Sequence, residues 1–544
     1  MKIVVPMSGF GNRFVQAGYA DPKPLIEVDG KPIIEHVVNL FPGESDFIFI
    51  CNKTHLETTD MRSILTRIKP NCNIVPIEPH KLGPVHALSV AYDFISDDEE
   101  VIVNYCDFSS YWDYNDFLSH TRTRKADGAI PAYKGFHPHM LGSDNYAFMR
   151  DDNQWMLEIQ EKKPFTDNKM EEFASNGTYY FRTGAILQKY CTELINRAVD
   201  LNGEYYVSCV FNLLLEDSLK VSIYEIEHML QWGTPKDLET YNKWSNYFEK
   251  LVTYPKNKVR TSYKANTIIP MAGKGSRFTD KGYTTPKPLL DVNGKPMVVA
   301  AASSLPHSRN TTFVCLSEHL TDYNLAEVIR EYQGNLNIVS LDEVTKGQAE
   351  TIYNGVMSAE YNLDDMLIVG TCDNGLIHDN RLPEADVLVY TFRNNEAVKN
   401  NPEMYSYIEA DESGKALSVS MKKPISEKPS SDHAIVGSFI FNKASHFTEN
   451  YLNIVKKDIM FNNEYYADLV IQECIDNGLD VKVLEVDEYL CWGTPDDYET
   501  YIYWQSFFHK CDWHQYTIDK DLLVNQSNKS ELLKNITETK PNGL

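Results

Sequence analysis

One string of residues occurs twice in this chain, and that duplication limits the possible architectures more than any other feature. Residues 6–33, PMSGFGNRFVQAGYADPKPLIEVDGKPI, align without gaps with 270–297, PMAGKGSRFTDKGYTTPKPLLDVNGKPM, at an offset of 264 with 16 of 28 positions identical. Later landmarks recur at nearly the same offset. Gly83 in KLGPVHAL answers to Gly347 in TKGQAETI, Cys106-Asp107 to Cys372-Asp373, and Lys162-Lys163-Pro164 to Lys422-Lys423-Pro424. Glu204-Tyr205-Tyr206 pairs with Glu464-Tyr465-Tyr466, and Trp232-Gly233-Thr234-Pro235 with Trp492-Gly493-Thr494-Pro495. Solenoid repeats run to ~20–50 residues, so a period this long means duplicated whole domains. The 544 residues then divide into copy one (1–251), a polar and basic linker (252–264), copy two (265–513) and an Asn-, Lys- and Ser-rich tail (514–544), expected to be a frayed appendage.

Within each copy short apolar runs alternate with longer amphipathic stretches. Strands are expected at Lys2–Pro6, Asp46–Cys51, Asn73–Ile77 and Val101–Tyr105, and in copy two at Thr312–Leu316, Asn337–Val339 and Met366–Gly370. Val85–Ile95 and Ala349–Ala359 have helical spacing. Continuous apolar strands between helices predict an α/β fold, a mainly parallel mixed sheet flanked by helices. Ligands in such sheets sit beyond the strand C-termini, where the first glycine loop and Asp107 or Asp373 both fall. Aromatic runs such as Tyr111-Trp112-Asp113-Tyr114 and Tyr501-Ile502-Tyr503-Trp504 are expected in packing.

Composition excludes several classes. With 52 basic and 77 acidic side chains the formal charge is −25, which argues against nucleic acid or an anionic membrane as partner. No run approaches the ~18 apolar residues of a membrane helix. The first apolar run, Ile3–Met7, is too short for a signal-peptide core and reads as a buried strand. The ten cysteines form no C-x-x-C pair, consistent with a reduced, cytoplasmic chain.

The loop after the first strand carries the chemistry. It comprises Met7, Ser8, Gly9, Gly11 and Arg13 in copy one, and Met271, Ala272, Gly273, Gly275 and Arg277 in copy two. Its glycines let backbone N–H groups approach an anion at a helix N-terminus. A G-x-G also serves any tight turn, but neither G-x-G-x-x-G nor the P-loop string is present: Phe14 and Phe278 replace the third glycine. Ten residues after the arginine comes Pro-Lys-Pro-Leu, whose prolines hold Lys23 and Lys287 in a stiff frame suited to meeting an anion.

G-x-G-x-R followed by P-K-P-L resembles the signature of the sugar-phosphate nucleotidyltransferases, or nucleotide-sugar pyrophosphorylases. The resemblance covers most of each copy. It implies two tandem Rossmann-like domains that join a sugar or polyol phosphate to a nucleoside triphosphate, release pyrophosphate and use Mg²⁺, feeding surface polysaccharide synthesis. On that resemblance Arg13 and Arg277 meet the triphosphate, Lys23 and Lys287 the α-phosphate, and Gly83 and Gly347 the base. Asp107 and Asp373 hold the metal. Glu161 and Lys162 or Lys163 bind the sugar phosphate in copy one, as do Lys422 or Lys423 in copy two. The attacking phosphate oxygen needs no side-chain nucleophile or base, so no Ser-His-Asp or Cys-His set is expected.

The sequence departs from the family at two places. The second metal aspartate is Gln231 in copy one and Cys491 in copy two, while Asp237 and Asp497 read as helix caps. On the sugar side copy one has Gln160-Glu161-Lys162, whereas Ser420-Met421-Lys422 offers no carboxylate. Such contrasts predict different acceptors for the two copies. An alternative leaves one copy catalytic and makes the other a nucleotide-binding regulatory domain. A glycosyltransferase would need a D-x-D motif, which Asp107-Phe108-Ser109 and Asp373-Asn374-Gly375 lack.

Overall fold

The computed structural model describes residues 1–253, 263–332, 336–379 and 381–537. By contact the residues fall into two units: Met1–Glu249 with Tyr503–Tyr516, and Lys250–Ile502 with the segment that starts at Thr517. Most of the expected linker, residues 254–262, lies outside the described residues.

In the first unit the strand order starts from Asn73–Ile77 and runs through Phe47–Asn52 and Lys2–Met7 to Val101–Asn104, all parallel. These strands are apolar along nearly their whole length; every residue of Lys2–Met7 and Phe47–Asn52 is buried. Such runs suit a strand covered on both faces. Beyond Val101–Asn104 the sheet turns antiparallel through Thr178–Phe181 and reaches Trp155–Glu161 and Ala147–Asp152. The last two form a hairpin whose turn residues Asn153 and Gln154 have φ of 51° and 62°, the two positive values a tight hairpin turn requires. The sheet is thus mixed, with its parallel half at the glycine-loop end.

The second unit repeats this plan. Leu336–Leu341, Asn310–Leu316, Ala265–Pro270 and Met366–Val369 are parallel, and His433–Phe441 then pairs antiparallel with Met366–Val369. Helices Gly184–Asn196 and Val207–Glu216 in the first unit, and Ala444–Lys456 and Ala467–Asp476 in the second, bury apolar faces. A fully buried Leu or Ile among these contributes ~1.5–3 kcal/mol. The copies differ locally: Gln348–Ser358 is a regular α-helix, whereas Pro84–Leu88 tightens into 3₁₀ turns over Ser89–Phe94. The Ser89 hydroxyl donates to the His86 carbonyl at 2.8 Å, a local bond that competes with the helical ladder.

Two features differ from the expected tail and boundary. Residues 503–516 group with the first unit: the Tyr503 hydroxyl donates to the Met229 carbonyl at 2.7 Å, and the Trp513 indole to Asp29 at 3.3 Å. The segment from 514 is not a frayed appendage over its described part. Tyr516, Ile518, Leu532 and Ile536 are at most 1% exposed, and Lys529–Thr537 is helical. Its polar composition conceals apolar residues spaced to face inward. Among the described residues no helix is long and apolar enough to cross a membrane.

Gly83 shows what joins the motifs. Its φ of 84° and ψ of 175° belong to a region essentially reserved for glycine. A Cβ there would lie 2.6 Å from the backbone nitrogen of Tyr205, and Gly347 stands likewise 2.6 Å from the Tyr465 carbonyl oxygen. This close approach lets Tyr205 N–H donate to Leu82 and Val85 N–H to Tyr205, tying the glycine loop to the Glu-Tyr-Tyr segment. Gly83→Ala is therefore expected to destabilise its unit by ~3 kcal/mol, combining strain with overpacking. Gly18→Ala, at φ 87° with nothing within 4 Å of a new Cβ, should cost only about 1 kcal/mol. Urea unfolding of the two variants checks the difference.

Candidate active site

The site in each copy is built where parallel strands end. Lys2–Met7 runs into Gly11, whose φ of 66° places it in the left-handed region and starts helix Asn12–Gln16. Gly275 repeats this with φ 63° before Ser276–Asp280. Phe14 and Phe278 are buried and pack edge-on against Tyr19 and Tyr283. A third glycine is therefore not merely missing, because these rings anchor the short helix. The arginines between glycine and phenylalanine stay exposed, and among the described residues Arg13 and Arg277 form no ion pair.

Pro22 and Pro286 hold extended backbone before one 3₁₀ turn each, Lys23–Leu25 and Lys287–Leu289. These turns lie against the glycine loops: a Cβ on Gly275 would sit 3.5 Å from the Lys287 Cβ. From there Lys23 Nζ reaches Asp107 at 2.8 Å, and Lys287 Nζ reaches Asp373 at 2.5 Å and the Gly493 carbonyl at 3.1 Å. The four side chains are only 15–29% exposed. Burial works against both ammonium groups, but the adjacent carboxylates outweigh it and hold the lysine pKa values above their ordinary range. Both lysines are thus held in their charged form at neutral pH.

A two-stranded ribbon brings the late motif to the same place. His228–Gln231 pairs with Phe108–Tyr111 so that Gln231 faces Phe108, and Trp232 N–H donates to the Asp107 carbonyl at 3.0 Å. Cys491 faces Asn374 in the equivalent ribbon. Thr234 and Thr494, rather than the aspartates expected to cap, cap the helices that follow: each threonine oxygen accepts the N–H of Asp237 or Asp497 at 3.2 Å, and that aspartate accepts the threonine hydroxyl at 2.6 Å in return. Burial raises the pKa of both aspartates. The Cys491 thiol points at Asp497 (3.4 Å), and burial, with Asp497 and Asp373 nearby, pushes its pKa far up, so it is a neutral thiol.

Asp107 and Asp373 are the carboxylates paired with the lysines, and among the described residues no group of three His, Cys, Asp or Glu side chains could hold an ion. A single carboxylate still suits Mg²⁺, which keeps several waters and shares its remaining positions with phosphate oxygens. Gln231 lies close enough that a Cβ on Gly233 would be 2.9 Å from its amide nitrogen and 3.3 Å from the Asp107 carboxylate.

At the Lys-Lys-Pro steps, Lys162 and Lys422 are the residues with side-chain hydrogen bonds to their own copy. Both have positive φ, 56° and 51°. Lys162 Nζ donates to the Tyr206 hydroxyl at 2.6 Å and lies 4.3 Å above that ring, while Lys422 Nζ donates to the Met404 carbonyl at 2.6 Å. Lys163 and Lys423 are exposed, without an ion pair among the described residues. Glu161 accepts from the Ser208 hydroxyl at 2.6 Å, and burial raises its pKa. In copy two a cavity of about 260 Å³ is lined by Arg277, Lys287, Asp373, Lys422 and Tyr466, with Gly493 and Thr494. It also admits Asp468, a carboxylate the sequence reading missed. The Ser420-Met421-Lys422 step itself carries no carboxylate, as expected; Asp468 comes from the helix Ala467–Asp476. The signal was present as Ala-Asp after Tyr466 where copy one has Val-Ser after Tyr206, but it lies far in sequence from the Lys-Pro step.

Residues 3–162 match the family model described as MobA-like NTP transferase domain, and residues 266–499 match the model described as Nucleotidyl transferase. Curated relatives include the bifunctional protein GlmU of Staphylococcus epidermidis, 23% identical over 227 residues, an alignment covering 41% of this chain and 47% of that protein. The chain thus spans about half the length of the curated relatives it matches. Similar solved structures include a nucleoside-diphosphate-sugar pyrophosphorylase from Vibrio cholerae RC9 (22% identity, 44% of this chain, 99% of that chain, TM-score 0.38). Another is the inositol-1-phosphate CTP transferase from T. maritima (15% identity, 50% and 96% covered, TM-score 0.35).

A second carboxylate beside Asp107 should strengthen cation binding. Gln231→Asp is expected to tighten Mn²⁺ binding about tenfold, or ~1.4 kcal/mol, by calorimetry. The same substitution at Thr66, an exposed position outside the site, should change nothing.

Proposed function

We propose that this chain, which carries two nucleotidyltransferase domains in tandem, transfers nucleotidyl groups at both: each copy joins a sugar or polyol phosphate to a nucleoside triphosphate and releases pyrophosphate. The observation that carries this reading is the repeated ion pair Lys23–Asp107 and Lys287–Asp373, half-enclosed at the strand ends beside an arginine that forms no ion pair among the described residues. Boundaries near 251 and 265 follow from the same duplication. A cytoplasmic supply of activated precursors for a surface polysaccharide fits such chemistry and the absence of C-x-x-C pairs.

In each copy the backbone of Met7–Gly11 or Met271–Gly275 receives the triphosphate, with Gly83 or Gly347 shaping the loop beside the base. Arg13 or Arg277 meets the leaving pyrophosphate end. The acceptor phosphate, steered by Lys162 or Lys422, forms a bond from its oxygen to the α-phosphorus as the bond to the bridging oxygen breaks and pyrophosphate departs. Lys23 or Lys287 offsets charge at the α-phosphate; one unit charge at ~4 Å and an effective dielectric of ~20 is worth about 4 kcal/mol. Asp107 and Asp373 would hold Mg²⁺, which when bound supplies further positive charge against the phosphates. The attacking oxygen is already ionised at neutral pH, so no side chain has to remove a proton.

Pyrophosphate release from four nucleoside triphosphates with a panel of sugar and polyol phosphates tests the proposal on the full chain. Lys23→Ala and Lys287→Ala should each lower one distinct activity by ~10²–10³-fold and leave the other unchanged. One variant abolishing everything while the other changes nothing would establish a regulatory copy instead. No pyrophosphate from any pairing would refute the enzyme reading.

A further inference from the structure

The two acceptor subsites carry their carboxylate on different elements. In copy one it is Glu161, the last residue of strand Trp155–Glu161, and its partner on helix Val207–Glu216 is Ser208. The equivalent positions, each 260 residues later, are Met421 and Asp468. Strand and helix have thus exchanged roles: the strand-side position has lost its carboxylate, and the helix has gained one.

The surroundings place Asp468 in the same subsite. It is 8% exposed and lines the cavity that holds Arg277, Lys287, Asp373 and Lys422. Ser406 lies between the exchanged positions, hydrogen-bonded to the Asp468 carboxylate and 3.8 Å from the Met421 sulfur. Lys422 stands 5.7 Å above the Tyr466 ring, as Lys162 stands above Tyr206. Its charge acts on Asp468, and that of Arg277 acts on Lys422. Burying a carboxylate in this way is costly unless it is paired. A polyhydroxylated phosphate satisfies both charges at once, its phosphate on Lys422 and a hydroxyl proton on Asp468.

We infer that Asp468 binds a hydroxyl of the acceptor in copy two, replacing from the helix the carboxylate that Glu161 supplies from the strand in copy one. The shorter side chain reaches from the helix, and Met421 stands at the sequence position of the lost carboxylate, so the two copies select polyol phosphates of different hydroxyl arrangement. This inference rests on the proposed transferase reading.

The test uses the full chain carrying Lys23→Ala, so that copy two is read alone, with glucose 1-phosphate, glucosamine 1-phosphate, glycerol 3-phosphate and ribitol 5-phosphate as acceptors. Asp468→Asn should raise the KM of the best acceptor at least tenfold, with triphosphate KM and thermal melting unchanged. The double variant Met421→Glu/Asp468→Ser, which installs copy one's arrangement, should restore acceptor use and move its rank order towards that of copy one. An acceptor KM unchanged in Asp468→Asn, or a fall confined to kcat, would overturn the inference while leaving the transferase reading intact. Absence of activity in the Lys23→Ala parent would instead remove that reading and this inference with it.

Discussion

Everything at the two clefts depends on a lysine ammonium held against an aspartate at the end of a parallel strand. Removing either partner would leave a mostly buried charge alone, which costs several kcal/mol. The pair therefore needs a rigid frame on both sides. Proline and a 3₁₀ turn fix the lysine, and the strand end with its short ribbon fixes the aspartate. The glycine loop packs on the lysine turn, and Gly83 or Gly347 ties a second loop to the Glu-Tyr-Tyr segment. Motifs scattered along each copy are thus one mechanical assembly.

That assembly resolves a tension in the charge. A chain of net charge −25 has to attract two polyanions at each site. Its long-range field is unfavourable, but fields fall off within a Debye length of ~8–10 Å. Inside that range the proposed ligands would meet Arg13, Lys23 and Lys162, or Arg277, Lys287 and Lys422. Asp107 and Asp373 keep the lysines charged. On the proposed reading, these local cations are what a polyanion meets in a protein whose overall charge is negative.

Much of this was legible in the sequence. The strands declare themselves because they are apolar along their length, and the duplicated string locates both glycine loops and both lysines. The contacts of Lys162 and Lys422 became visible only in the structure, because they follow from a positive φ that no local pattern announces. Asp468 was hidden for another reason: its meaning depends on Met421, a residue on a different element, and a motif search sees one element at a time. The packed segment after 514 was misread because charged and amide residues outnumber the few apolar ones that face inward. Gly83 carries a second meaning, since its absent side chain admits the backbone of Tyr205.

The central claim is that each copy transfers the nucleotidyl group directly between its two phosphates, held by charge and without a covalent enzyme intermediate. The stereochemistry at phosphorus tests this most directly. With a nucleoside triphosphate carrying a chiral α-thiophosphate, a single in-line displacement inverts configuration in the product of either copy. Retention in the product of either copy would mean two displacements through an enzyme nucleophile, and would contradict the account.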